Sequence, residues 1–446
     1  MSGQDAAPTA GGRLDRYFRL GERGTSVRTE ALAGATTFLT MAYIVLVNPA
    51  ILGQAGLPVA SVAAATCFAA AFASILMGLV ANVPLALAPG MGLNAYFSFT
   101  VVQQMHVPWP VALGCVFLSG VVFLILTLTG VRQLIVSAIP QHLFAAVAGG
   151  IGLFIGFIGL KDAGIVVANP ATFVALGNLR EPGAALALLG LFIIGALSVW
   201  NLRGAMLVGI VVTTLVAVLT GFARMTPEPY SLTALTQTAF KLDLAGVFRL
   251  SGGLAEILFV FLFVDLFDNI GTLVAVTKRA GLMDKAGRIP GLNRILITDA
   301  VATIVGAMAG TSTVTSYVES AAGVQAGGRT GLTAVVTGLL FLATMFVAPY
   351  AQLVPLAATA PALIIVGGLM LLPLSEVDWE DPMAAIPAFL TVAMIPLTFS
   401  IANGLAFGIT AHAGLKLLRG KAERADWFLF LLAGLFVVRF VWMSAA

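Results

Sequence analysis

The chain has 446 residues, 59% of them hydrophobic and 10% charged, with a formal net charge of +3; mean hydropathy is +1.02. A water-soluble fold of this size must present far more polar surface, so this composition excludes one and predicts an all-α polytopic membrane protein. The small net charge gives no support to nucleic-acid binding.

Residues 1–30 carry Arg13, Arg16, Arg19, Arg23 and Arg28 without an apolar h-region. They read as a cytoplasmic N-terminal segment, and no cleaved signal peptide is expected. Apolar runs follow at roughly 31–51, 60–81, 84–104, 109–129, 142–160, 184–200 and 204–221. A polar connection at 222–252, expected outside, precedes a second set at roughly 253–277, 293–309, 313–325, 329–349, 359–374, 383–399 and 401–418. Residues 419–446 form a basic C-terminal segment, and its run at 427–443 contains Arg439. That run reads either as an amphipathic interfacial helix or as an additional membrane helix.

Fourteen segments with the N-terminus inside place 17 Lys/Arg on the inner side and five on the outer. This is the positive-inside pattern, and it predicts a multi-pass protein of the cell (plasma or inner) membrane with a cytoplasmic N-terminus. The two halves, 31–221 and 253–418, echo one another. IPQHLFAAVAGGIGLFIGF (139–157) parallels VPLAATAPALIIVGGLMLL (354–372), and each set has a Gly/Pro-interrupted third segment, VPLALAPGMGLNAYF (83–97) and AGTSTVTSYVESAAG (309–323). Seven segments per half is odd, so the halves insert as inverted repeats, and interrupted helices at matching positions point to a transporter's binding site.

The chemistry sits in those interruptions. Asp268 and Glu319 lie inside apolar sequence, where a carboxylate costs about 3 kcal/mol and is kept for function. Residues 311–317, TSTVTSY, suit an extended strand, with a helix beginning near Val318 and Glu319 in its first turn. Pro89, Gly90 and Gly92 disfavour regular helix, which can resume near Leu93 and Asn94. Segments 3 and 10 are therefore expected to be interrupted by short strands that pair with one another, with two half-helix N-termini aimed at a shared cavity. Asp265, Asp268 and Thr272 fall on one helical face. No Lys or Arg occurs in 254–277 or 295–328, so a buried ion-pair partner is scarce in the neighbouring sequence. Asp265 and Asp299 read equally well as members of a polar network or as helix-end residues. Paired carboxylates suit a neutral substrate with N–H donors, and they suit proton coupling through Asp268, Glu319, Asp265 or Asp299. Cys67 and Cys115 read as free core residues, and His106, His142 and His412 are scattered without metal-ligand spacing. No cofactor fingerprint or nucleophile–base pair is visible, so neither a cofactor nor an enzyme is expected.

Four stretches resemble the AzgA-like purine permeases, a branch of the nucleobase:cation symporter (nucleobase–ascorbate transporter) superfamily. They are TSVRTEALAGATTFLTMAYIVLVNPAIL (25–52), ANVPLALAPGMGLNAYF (81–97), FVDLFDNIGTLVAVTKRAGLMD (263–284) and GTSTVTSYVESAAGVQAGGRTGLTAVVTG (310–338). The resemblance implies two inverted sevens divided into a core (31–129 and 253–349) and a gate (142–221 and 359–418). It implies substrate contacts from Asp268, from Glu319 and from the backbone of Val318, with Thr272 in place of a histidine of the uracil branch. It further implies a backbone contact near Gly92, Leu93 and Asn94, and a mirror position at Thr40. The activity it implies is proton-coupled uptake of purine nucleobases, guanine or hypoxanthine first and adenine as the alternative, with a homodimer as the implied assembly. An anion transporter of the same architecture is the rival that the two acids oppose.

Overall fold

The computed structural model describes residues 12–130, 140–223, 236–250, 253–283 and 291–443, together with 233 and 289. Arg132, Arg224, Lys285 and Arg288, which enter the charge count, lie outside the described residues, as does most of the first part of the polar connection. The fold is mostly helical. Among the described residues, ten helices are long and apolar enough to cross a membrane, and Ala205–Leu219, Pro382–Thr398 and the last helix are shorter apolar ones.

A short helix α1 (Arg13–Phe18) leads into α2 (Val27–Met41) and α3 (Ile44–Gly53). The first expected span is thus two helices with Ala42 and Tyr43 between them, and Pro49 removes one backbone donor from the second. Helix α4 (Val59–Val80) precedes strand β1 (Leu87–Pro89), α5 (Met91–Ala95) and a π-helix at Tyr96–Gln104. Then come α6 (Trp109–Leu128) and α7 (Gln141–Asp162). A β2–β3 hairpin (Val166–Asn169 and Phe173–Leu176) follows where only a connection was expected. Its turn is an Asx type, with Asn169 Oδ1 accepting from the amides of Ala171 (2.8 Å) and Thr172 (3.2 Å). Helices α8 (Pro182–Val199), α9 (Ala205–Leu219) and the single turn α10 (Leu244–Val247) complete the first half.

The second half begins with α11 (Gly253–Arg279) and α12 (Leu292–Ala309), then strand β4 (Val314–Ser316) and the short helix α13 (Ser320–Gln325). Helix α14 (Gly331–Thr344) runs on as a 3-10 segment to Leu353, followed by α15 (Leu356–Leu369), α16 (Pro382–Thr398) and α17 (Ile401–Leu418). Helix α18 (Trp427–Met443) comes last.

Packing falls into two groups. Helices α2, α4, α6, α11, α12 and α14 pack among themselves, while α7, α8, α9, α15, α16 and α17 form the other set. Within the first group, glycine lets backbones touch: a Cβ on Gly78 or on Gly331 would collide with the other residue's carbonyl oxygen. Such close approaches are how helices associate where lipid gives no hydrophobic drive. The N-terminal segment is tied to this group by Glu30, whose carboxylate accepts from the amides of Arg329 (2.8 Å), Thr330 (3.2 Å) and Thr333 (3.2 Å) and from Thr333 Oγ1 (2.6 Å). An acid at the start of α14 satisfies amides that the helix itself cannot.

Candidate functional site

Two chain breaks meet at the middle of the first group. Strand β1 pairs antiparallel with β4, in the register Leu87 to Ser316, Ala88 to Thr315 and Pro89 to Val314. Away from water, every backbone group of such a pair needs a partner, and side chains supply the remainder. Ser74 Oγ accepts from Leu87 N (3.0 Å), Ser320 Oγ from Ala86 N (3.0 Å), and Thr303 Oγ1 donates to Val314 O (2.9 Å). The Tyr317 hydroxyl donates to Pro89 O, and Gly90 N donates to Thr313 O at 2.9 Å.

Each strand delivers the chain to a helix start. Glu319 is the N-cap residue of α13, one position ahead of the helix rather than inside its first turn. Its Oε1 accepts a 2.6 Å hydrogen bond from the Tyr43 hydroxyl, which arrives from the break between α2 and α3. Asp268 comes from the middle of the continuous helix α11 and lies beside the start of α5, where a Cβ placed on Gly90 would stand 3.9 Å from its Oδ2. Asp268 and Glu319 lie in each other's electrostatic field. Both are half-buried, and Val318 next to them is 54% exposed.

The other candidates divide. Thr272 is one turn beyond Asp268 and nearly buried. Thr40, half-buried, donates back to Thr37 O at 2.8 Å and lies one turn before Tyr43. Leu93 is buried, and a Cβ on Gly92 would strike Ile151 of α7, so this turn presses against the second packing group. Asn94 turns its side chain away into a buried polar network. Its amide donates to Asn48 Oδ1 (2.5 Å) and its Oδ1 accepts from Ser312, while Asn48 donates to Thr66 Oγ1 (2.7 Å) and Thr311 Oγ1 (2.9 Å). Asp265 is buried one turn before Asp268. Asp299 is buried on α12, which packs mainly on α4 and α6, beside an apolar cluster of Ala300, Phe123 and Leu266.

Sequence reasoning passed over Tyr43, Asn48, Ser312, Tyr317 and Asn269, which accepts from Ser316 Oγ at 3.2 Å. The available signal was a side-chain amide within apolar sequence, present at Asn48 and Asn269, whereas Ser312 and Tyr317 lie in a hydroxyl-rich stretch and Tyr43 is an ordinary membrane-helix residue. Cys67 and Cys115 are free and buried. Among the described residues, no group of three or more His, Cys, Asp or Glu is arranged to hold a metal ion.

The Permease family model of the xanthine/uracil permeases matches residues 28–407, which include every one of these residues. The chain belongs to the xanthine/uracil permease family. This permease is 46% identical over 446 residues to the adenine permease AdeP of Escherichia coli (strain K12), covering 100% of both chains. It is 43% identical over 431 residues to the guanine/hypoxanthine permease PbuO of Bacillus subtilis (strain 168), covering 95% of this chain and 99% of that one. Its fold matches the transmembrane domain of the cyanobacterial bicarbonate transporter BicA with a TM-score of 0.62 at 16% identity, over 84% of this chain and 97% of that chain. At that identity the likeness is one of fold alone. This permease is a membrane transporter and not an enzyme.

Proposed function

We propose that the protein is a secondary active transporter that takes up purine nucleobases with protons, guanine or hypoxanthine first, by alternating access. The observation that carries this reading is that Asp268 stands beside the start of α5 and Glu319 caps α13, each at the helix start that follows one of the two paired strands. Two carboxylates in one low-dielectric site repel each other, and either a proton or a set of N–H donors relieves them. An oxopurine offers such donors on its N1 and N9 edges, and its carbonyl oxygen would turn to backbone amides near Gly92, Leu93 and Val318. Glu319, steadied by Tyr43, and Asp268 would hold the N–H groups, with Thr272 and Thr40 flanking them. Protonation of Asp268, Glu319, Asp265 or Asp299 would couple uptake to the proton gradient, with no cofactor required.

In this reading the fold is fourteen segments in two inverted sevens, with segments 3 and 10 broken at β1 and β4. The first packing group acts as core and the second as gate. The N-terminus is cytoplasmic, the membrane is the cell membrane, and a homodimer is the assembly proposed. Adenine is the second reading, favoured by the 46% identity to an adenine permease. Sulfate or bicarbonate is disfavoured because both would meet two acids.

The test is uptake of labelled hypoxanthine in cells without purine carriers, with guanine, adenine, xanthine and uracil as competitors and with a protonophore. Saturable uptake blocked by guanine and by the protonophore supports the first reading. Strong adenine uptake with poor hypoxanthine uptake supports the second. Sulfate competition without purine competition overturns both.

A further inference from the structure

The charges of the last helix answer one another across the packing groups. Helix α18 runs antiparallel along α17: Lys416 Nζ meets Asp426 Oδ1 at 2.7 Å just before α18 begins, and Arg439 Nη1 meets Asn403 Oδ1 at 3.0 Å near its other end. The separation of thirteen positions between Asn403 and Lys416 matches that between Asp426 and Arg439, so α18 traverses nearly the whole length of α17. Arg439 then reaches past α17 to the other group, with Nη2 2.5 Å from Glu256 Oε1 near the start of α11. Phe259 and Phe436 pack edge to face at 5.3 Å along the same seam. An arginine within an apolar helix has few acceptable partners in lipid, and Glu256 with Asn403 supplies two for the half-buried Arg439.

Two more polar ties join the packing groups. Gln54 Nε2 donates to Asp162 Oδ2 (2.8 Å), linking the end of α3 to the end of α7. Thr100 Oγ1 donates to Phe399 O (2.7 Å), linking the π-helix to the end of α16. With the N-terminus inside, chain order puts these three ties on the extracytoplasmic side, and a further tie, from Arg203 Nη1 to Thr36 Oγ1 (3.3 Å), on the cytoplasmic side. The one exposed residue of the strand break is Val318.

We propose that α18 is a fifteenth membrane-crossing helix, and that Arg439, bound to Glu256 and Asn403, latches the two packing groups together at their extracytoplasmic end. This rests on the transporter reading above and names the contact that must break for the site to face outward. Loss of one charge-assisted hydrogen bond shifts such a two-state balance by about tenfold.

The experiment needs no substrate, so its outcome is independent of which base is carried. Val318→Cys is labelled with a membrane-impermeant maleimide in whole cells and in inside-out vesicles, the buried Cys67 and Cys115 giving little background. Arg439→Gln should raise labelling from outside relative to inside by about tenfold, while Arg439→Lys should leave most of the native ratio. An unchanged ratio in Arg439→Gln overturns the latch. In the otherwise native chain, Val441→Cys, on a residue 61% exposed, should be labelled from outside only. Labelling of Val441→Cys from the cytoplasmic side overturns the crossing, whatever the fate of the Arg439 variants.

Discussion

Tyr43 and Glu319 stand 276 residues apart in the chain and share a 2.6 Å hydrogen bond. A tyrosine hydroxyl donating to a carboxylate fixes the direction in which the acid points. Tyr43→Phe should therefore raise the KM for uptake about tenfold, the value of one hydrogen bond to a charged group, with the transporter still reaching the membrane. Glu319→Gln and Asp268→Asn should abolish uptake at normal expression, and normal transport by both would remove them from the site. The two acids were legible in the sequence because a carboxylate within apolar residues has few cheap explanations. Tyr43 was not, since a tyrosine in a membrane helix is ordinary and its partner comes from the other half. Asn94 was legible only in part. The resemblance implies a backbone contact in its stretch, while its side chain is engaged with Asn48 and Ser312. Asn48→Ala would strand several of these buried groups and should cost about 3 kcal/mol, read as a lowered Tm of the purified protein.

Helices were read well where an apolar run is also a whole helix: 60–81 became Val59–Val80, and 293–309 became Leu292–Ala309. Reading failed where a run and a helix differ. Hydropathy is indifferent to the break at Ala42–Tyr43 and to the π-helical turns at Tyr96–Gln104, because the first is buried and the second is apolar or buried up to Val102. The hairpin at Val166–Leu176 was missed because its strands are short and half exposed. Packing between elements was equally silent, since a contact between Gly78 and Gly331 needs both helices in view. Gly331→Val should force α4 and α14 apart, with overpacking of this kind costing about 1–3 kcal/mol. Gly434→Ala, with nothing within 4 Å of the added carbon, should leave Tm unchanged. Equal Tm values for the two variants would refute the close approach.

For the molecule as a whole, the proposed sidedness rests on charge asymmetry alone, without reference to any contact. A cysteine at Phe173, which is 88% exposed on the hairpin, should be labelled from outside intact cells, and one at Glu22 only after the membrane is opened. The reverse pattern would invert the topology. Four motifs made the family legible, but the division of the helices into two packing groups was not readable from residues, because it lies in contacts between distant segments. One consequence of the strand pair concerns synthesis. Pro89 and Tyr317, joined through a hydroxyl and a carbonyl, are separated by 228 residues. At about 5–20 residues per second the ribosome needs roughly ten to fifty seconds to supply the second strand. Throughout that interval Leu87–Pro89 has entered the membrane with its ladder groups unpaired. The translocation machinery, or water retained within it, must hold that edge until β4 emerges. The candidate site consequently cannot form until more than two thirds of the chain has been made, and a chain truncated before Val314 would be a substrate for membrane quality control.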